Sequence, residues 1–115
     1  MAKEVSSFAL VMGNTPFIRV VDFLLENRPF DYSKTEIAQN AEVGWSTLHG
    51  IWKILGKAKI VKQTRAVGKS KMYKLDEENP VVRKLIDLDA RISDSFAEGE
   101  IKAQTKIPVV VKTRK

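Results

Sequence analysis

The sequence has no cysteine and a single histidine, His49, in 115 residues. Disulfides, thiolate metal ligands and a cysteine nucleophile are therefore excluded. One histidine with no second ligand type beside it also argues against an all-protein zinc or iron site, so no metal and no cofactor are expected. Long apolar runs are missing as well. The longest near the N-terminus, Phe8 to Met12, is too short and too close to an acid for a signal segment, and nothing approaches membrane-spanning length. A cytoplasmic protein with no membrane partner is expected. Convergent catalytic groups are absent too. Glu77 with Glu78, and Asp87 with Asp89, read as neighbours on a charged helical surface, and Gly68-Lys69-Ser70 lacks the first glycine and the following helix of a phosphate loop. His49 has no evident Ser or Asp partner, so catalysis is not expected.

Negative charge is what the middle of the chain lacks. Between Lys53 and Lys74 stand Lys53, Lys57, Lys59, Lys62, Arg65, Lys69, Lys71 and Lys74 with no Asp or Glu. Taking those eight charges from the formal excess of +6 leaves −2 for the rest of the chain. Such a local field suits a polyanionic partner, although a lysine-rich run alone is usually a solvated surface. Residues 75 to 101 carry the opposite bias, three cations against eight acids.

What is present suffices for one folded domain. A 43% hydrophobic fraction with 30% charged residues is ordinary for a soluble globular chain. Val5, Phe8, Ala9 and Met12 recur at helical spacing before Gly13, predicting a short helix over the first ten or so residues. Asn14 and Thr15 then precede Pro16, a helix start followed by a stripe of Phe17, Val20, Val21, Leu24 and Leu25. Ser33 with Glu36 is a capping box opening a helix that buries Ile37, Ala38 and Ala41. After a turn at Glu42 to Gly44, a helix from about Trp45 to Lys57 buries Leu48, Ile51, Trp52 and Leu55. Ile60–Ala66 and Lys71–Leu75 around Val67-Gly68-Lys69-Ser70 predict a β-hairpin, with Val61, Tyr73 and Leu75 inward. Asn79-Pro80 starts a last helix with Val81, Val82, Leu85, Leu88, Ile92 and Phe96 in a stripe. Beyond Gly99 a loose basic tail is expected, although Val109-Val110-Val111 could instead add a strand to a neighbour.

The spacing around the turn carries function. Two helices crossing tightly need small residues at the contact and apolar ones at fixed offsets. Counting from Lys34, the chain places Ile37, Ala38, Ala41, Val43, Leu48 and Ile51 at all six constrained positions of a helix-turn-helix. With Gly13-Asn14-Thr15-Pro16 ahead of it, Ser46-Thr47-Leu48 in its second helix and Gly68-Lys69-Ser70-Lys71-Met72-Tyr73 behind it, the chain resembles the winged helix-turn-helix transcriptional regulators. The resemblance is to small archaeal-type members related to the MarR and ArsR groups, and covers about residues 10 to 90.

The fold implied is mainly α with a small β-hairpin wing, a winged helix-turn-helix with an extra C-terminal helix. Residues 1–98 would form the domain, ending in a dimerisation helix at about 79–98, and 99–115 the tail. The resemblance implies a double-stranded DNA partner, with the helix after the turn in the major groove and the wing on the backbone or minor groove. Trp45, Ser46, Thr47, His49, Gly50 and Lys53 would face the DNA from the helix, and Arg65, Lys69 and Lys71 from the wing. Ser33 and Lys34, at a helix N-terminus, would hold a further phosphate. Ser46 and Thr47 can bond phosphates or base edges, but the helix offers no arginine for a bidentate guanine contact. Met12 and Met72 read as packing. A homodimer through the last helix, joined by the N-terminal one, and repression by promoter occlusion are expected. Two other functions fit the same residues: a low-specificity DNA-organising or plasmid-maintenance protein, and a winged helix used as a protein-interaction module.

Overall fold

A computed structural model describes residues 3–99 and 109–112. The chain runs β1 (Lys3–Ser6), α1 (Ser7–Met12), α2 (Pro16–Glu26), β2 (Tyr32–Ser33), α3 (Lys34–Ala41), α4 (Trp45–Lys57), β3 (Val61–Val67), β4 (Ser70–Leu75), α5 (Pro80–Ala97) and β5 (Val109–Lys112). Helix starts follow local chemistry. Thr15 Oγ1 accepts from the Ile18 N–H ahead of Pro16, and Asn79 Oδ1 accepts from the Val81 N–H ahead of α5. At α3 the capping box is complete: the Glu36 N–H donates to Ser33 Oγ at 3.2 Å, and the Ser33 N–H donates to the Glu36 carboxylate at 2.9 Å.

One core joins these helices. Val20, Val21, Leu24 and Leu25 of α2 meet Ile37, Ala38 and Ala41 of α3 and Leu48, Ile51, Trp52 and Leu55 of α4, closed by Phe8, Ile60, Leu75, Val82 and Ile92. Ala38 and Ala41 put the small residues of α3 inside this core. Leu48 is fully buried, so truncating it to alanine costs about 2–5 kcal/mol. Arg19 ties α2 to the turn between α3 and α4, donating to the carbonyls of Ala41 at 2.9 Å and Glu42 at 3.1 Å, and to that of Asn14 at 3.2 Å. It thus satisfies carbonyls at the end of α3, where Glu42 turns the chain in the left-handed region at φ 58.

The three-stranded sheet has the order β2-β4-β3, all antiparallel. Gly68, at φ +60, takes the first position of the two-residue turn between β3 and β4, where a type II′ hairpin requires glycine. Val61 pairs with Leu75 and Gln63 with Tyr73, but an irregularity between Gln63 and Arg65 sets Arg65 opposite Met72. The residue gained at this bulge moves Arg65 to the other face of the hairpin.

Four sequence expectations change. The first ten residues are strand then helix, not helix throughout. Met12 is 42% exposed and does not pack in the core. Asp89 is buried while Asp87 is exposed, because two helical residues apart point to different sides; Asp89 is not part of a solvated acidic face. Within the segment expected to be a loose tail, Val109–Lys112 pair in parallel with Lys3–Ser6, and residues 100–108 and 113–115 lie outside the described residues.

Candidate nucleic-acid interface

Helix α4 presents one side to the core and the other to solvent. Trp45, Ser46, Thr47, His49, Gly50 and Lys53 are all exposed, on the side away from Leu48, Ile51 and Leu55. Its N-cap, Gly44, makes no side-chain capping bond, so no cap closes off the first N–H groups of this helix. The indole of Trp45 meets the His49 imidazole edge to face, with ring centroids 4.7 Å apart at 89°. A Cβ added at Gly50 would meet nothing within 4 Å. Packing within this chain therefore does not explain the glycine, which costs the helix about 1 kcal/mol relative to alanine.

Between α3, the start of α4 and the wing lies a groove of about 310 Å³ lined by Ser33, Lys34, Thr35, Trp45, Lys69, Ser70, Lys71 and Tyr73. Tyr73 lines it and packs edge to face against the buried Trp52, with centroids 5.2 Å apart. Lys34 Nζ sits over both rings, 5.8 Å from that of Trp52 and 5.5 Å from that of Tyr73. Two cation–π contacts hold this ammonium group at the groove without neutralising it. Lys69 is in the hairpin turn, and Lys71 shares a β4 face with Tyr73. Glu36 places its carboxylate at the N-terminus of α3, so the cation offered beside Ser33 is Lys34, not the helix end.

Arg65 is placed differently from the other wing cations. Its Nε lies 2.9 Å from one oxygen of Asp31 and its Nη2 3.1 Å from the other, a two-pronged pair to which Thr64 also donates. The Arg65 hydrogen bond, followed by that of Thr64, lowers the Asp31 pKa to about 2. The arginine's own pKa is raised by the same hydrogen bond. This pair pins the outer face of the wing to the connection before α3.

Of the eleven residues expected from sequence, Ser33, Lys34, Trp45, Lys69 and Lys71 meet at the groove. Ser46, Thr47, His49, Gly50 and Lys53 line the adjoining face of α4, and Arg65 stands apart on Asp31. Thr35, Ser70 and Tyr73 are groove residues that sequence reasoning passed over. Tyr73 was legible only as an inward strand position, and the two hydroxyl residues gave no periodic signal. Among the described residues, no group of three or more His, Cys, Asp or Glu could hold a metal ion. No helix among them is long and apolar enough to cross a membrane.

No family model and no curated protein matches the sequence. Two solved structures are similar in fold. One is a double-mutant form of ZitR from Lactococcus lactis in its apo form, 16% identical, with a TM-score of 0.57 over 84% of this chain and 74% of that one. The other is the transcriptional repressor BigR from Xylella fastidiosa, 23% identical, with a TM-score of 0.52 over 83% of this chain and 88% of that one. Both are winged helix-turn-helix proteins of the ArsR/SmtB group. The fold of the present chain is accordingly the winged helix-turn-helix, mainly helical, with a β-hairpin wing and a C-terminal helix.

Proposed function

We propose that this protein binds double-stranded DNA as a homodimer and regulates transcription, repressing by occlusion of a promoter. One observation carries this function: Lys34, Lys69 and Lys71 converge on a groove beside the exposed face of α4, with Lys53 further along that helix. A helix flanked by such cations suits a major groove with phosphates on either side. In this role Ser46 and Thr47 meet base edges, Lys53 a phosphate or guanine, and Lys34, Lys69 and Lys71 the backbone. The fold shared with a transcriptional repressor supports the same role.

Dimerisation is supported by apolar surface that the domain leaves uncovered. Val81 is 57% and Leu88 40% exposed on α5, and Val11 and Met12 are exposed at the end of α1, which packs against α5. A two-fold partner on this surface would set two α4 helices about one DNA turn (~34 Å) apart on a palindromic site. Leu88→Asp is expected to shift sedimentation from dimer to monomer; an unchanged dimer would place the interface elsewhere.

Low-specificity DNA organisation is the second function, favoured by α4 lacking arginine and by Arg65 being held on Asp31. Binding to a candidate promoter and to random DNA, each titrated against salt, separates the two. A specificity ratio well above one supports the regulator, and a ratio near one supports the organising protein. Absence of binding even at low salt would leave the wing and α4 as a protein-interaction surface.

A further inference from the structure

Trp45 does not fit a surface that only grips a duplex. It opens α4 with half its area in water, and it forms one wall of the cationic groove. An indole left in water is unfavourable unless a partner covers it, and phosphate is no cover for an apolar ring. The groove supplies the complementary parts beside it. Lys69 and Lys71 come from the wing, Lys34 is held over Trp52 and Tyr73, and Ser33, Thr35 and Ser70 add hydroxyls. An exposed aromatic face next to cations is the combination that binds unpaired nucleic acid, the base stacking on the ring and the backbone following the charges. Bases inside an intact duplex already have both faces covered by their neighbours.

We propose that this groove takes one unstacked nucleotide of a DNA strand, its base on the indole of Trp45 and its flanking phosphates on Lys34, Lys69 and Lys71. The proposal rests on the DNA-binding function above and adds a preference: DNA with a bulged, frayed or single-stranded position is bound better than the fully paired duplex. His49, packed at right angles to the indole, then acts as a positioning residue that holds the ring for stacking.

The test compares three labelled DNAs of one sequence by anisotropy: the perfect duplex, the same duplex with one extra unpaired 2-aminopurine, and the same bulge made abasic. The wild-type chain, Trp45→Ala and Trp45→Phe are titrated with each. The base bulge should bind the wild type about tenfold tighter than the perfect duplex, as one base–aromatic stack implies. Its 2-aminopurine emission should be quenched on binding. The abasic bulge should behave as the perfect duplex, Trp45→Ala should lose the preference, and Trp45→Phe should keep most of it. The abasic arm uses the wild-type chain, so the test stands even if Trp45→Ala folds poorly. Equal binding of all three DNAs by the wild type would overturn the stacking site while leaving duplex binding intact. Absence of binding to any of them at low salt would overturn both. Displacement of the bulged DNA by deoxyadenosine monophosphate at the concentration of the DNA itself would overturn the proposal by assigning the groove to free nucleotides.

Discussion

The two faces of the wing hairpin hold cations in different ways. On the face turned toward α3 and α4, Lys71 lies in line with Tyr73 beside Lys34 and Lys69, and the groove among them contains no carboxylate. On the opposite face Arg65 is bound through two nitrogens to Asp31, and Lys74 lies 3.4 Å from Glu77. The groove lysines have no carboxylate among them, while on the other face Arg65 fastens the wing to the connection before α3 and Lys62, opposite Lys74, stays exposed. Counting cations along a sequence cannot separate these sets, because the sorting is done by strand register. Alternation from Val61 and Gln63 would carry Arg65 onto the inner face, and the bulge before it reverses that.

Substitutions on each face should separate the two roles. The largest effect is expected from Lys69→Ala combined with Lys71→Ala. Duplex binding should fall at least about tenfold for every sequence, with the salt slope reduced by about 2. A loss confined to one sequence would make these lysines base readers, not backbone contacts. Next, Gly50→Ala on the exposed face of α4 should raise unfolding stability by about 1 kcal/mol while weakening duplex binding severalfold. Added stability without loss of binding would show that DNA does not approach the helix at this point. Asp31→Ala is expected to do less, and in the opposite direction. Releasing Arg65 should strengthen duplex binding about two- to threefold and steepen the salt slope by about 1.

The smallest effect is a pH dependence of stability. The folded Asp31 pKa is lowered from 3.8 to about 2, so the folded state binds fewer protons than the unfolded state between those values. The pair's contribution is therefore complete above pH 3.8 and lost as pH falls toward 2. Acid titration of the melting temperature should show wild type and Asp31→Asn converging across that window. Parallel curves there would mean that the Asp31–Arg65 pair does not form in solution.

Locally written features were legible in the sequence. The Ser33–Glu36 capping box, the Thr15-Pro16 and Asn79-Pro80 helix starts, the span of α4 and its buried residues depend on neighbours within one or two turns, and each forms where expected. Features that depend on distant partners were not. The strand Tyr32–Ser33 exists because β4 lies alongside it, and two residues carry no alternation to detect. Arg19 lies outside the apolar stripe of α2, and only the folded chain brings the carbonyls of Ala41 and Glu42 within its reach. The exposed side of α4 could be listed from helical period alone, but the groove and the diversion of Arg65 required the wing to be placed against α3.

The salt dependence of duplex binding, measured side by side for the wild type, Lys69→Ala/Lys71→Ala and Arg65→Ala, tests the division of charge most directly. A steep wild-type slope is expected, with a slope shallower by about 2 for the double variant and no change for Arg65→Ala, whose charge is already met by Asp31. A slope that falls for Arg65→Ala and stays constant for the lysine pair would contradict that division.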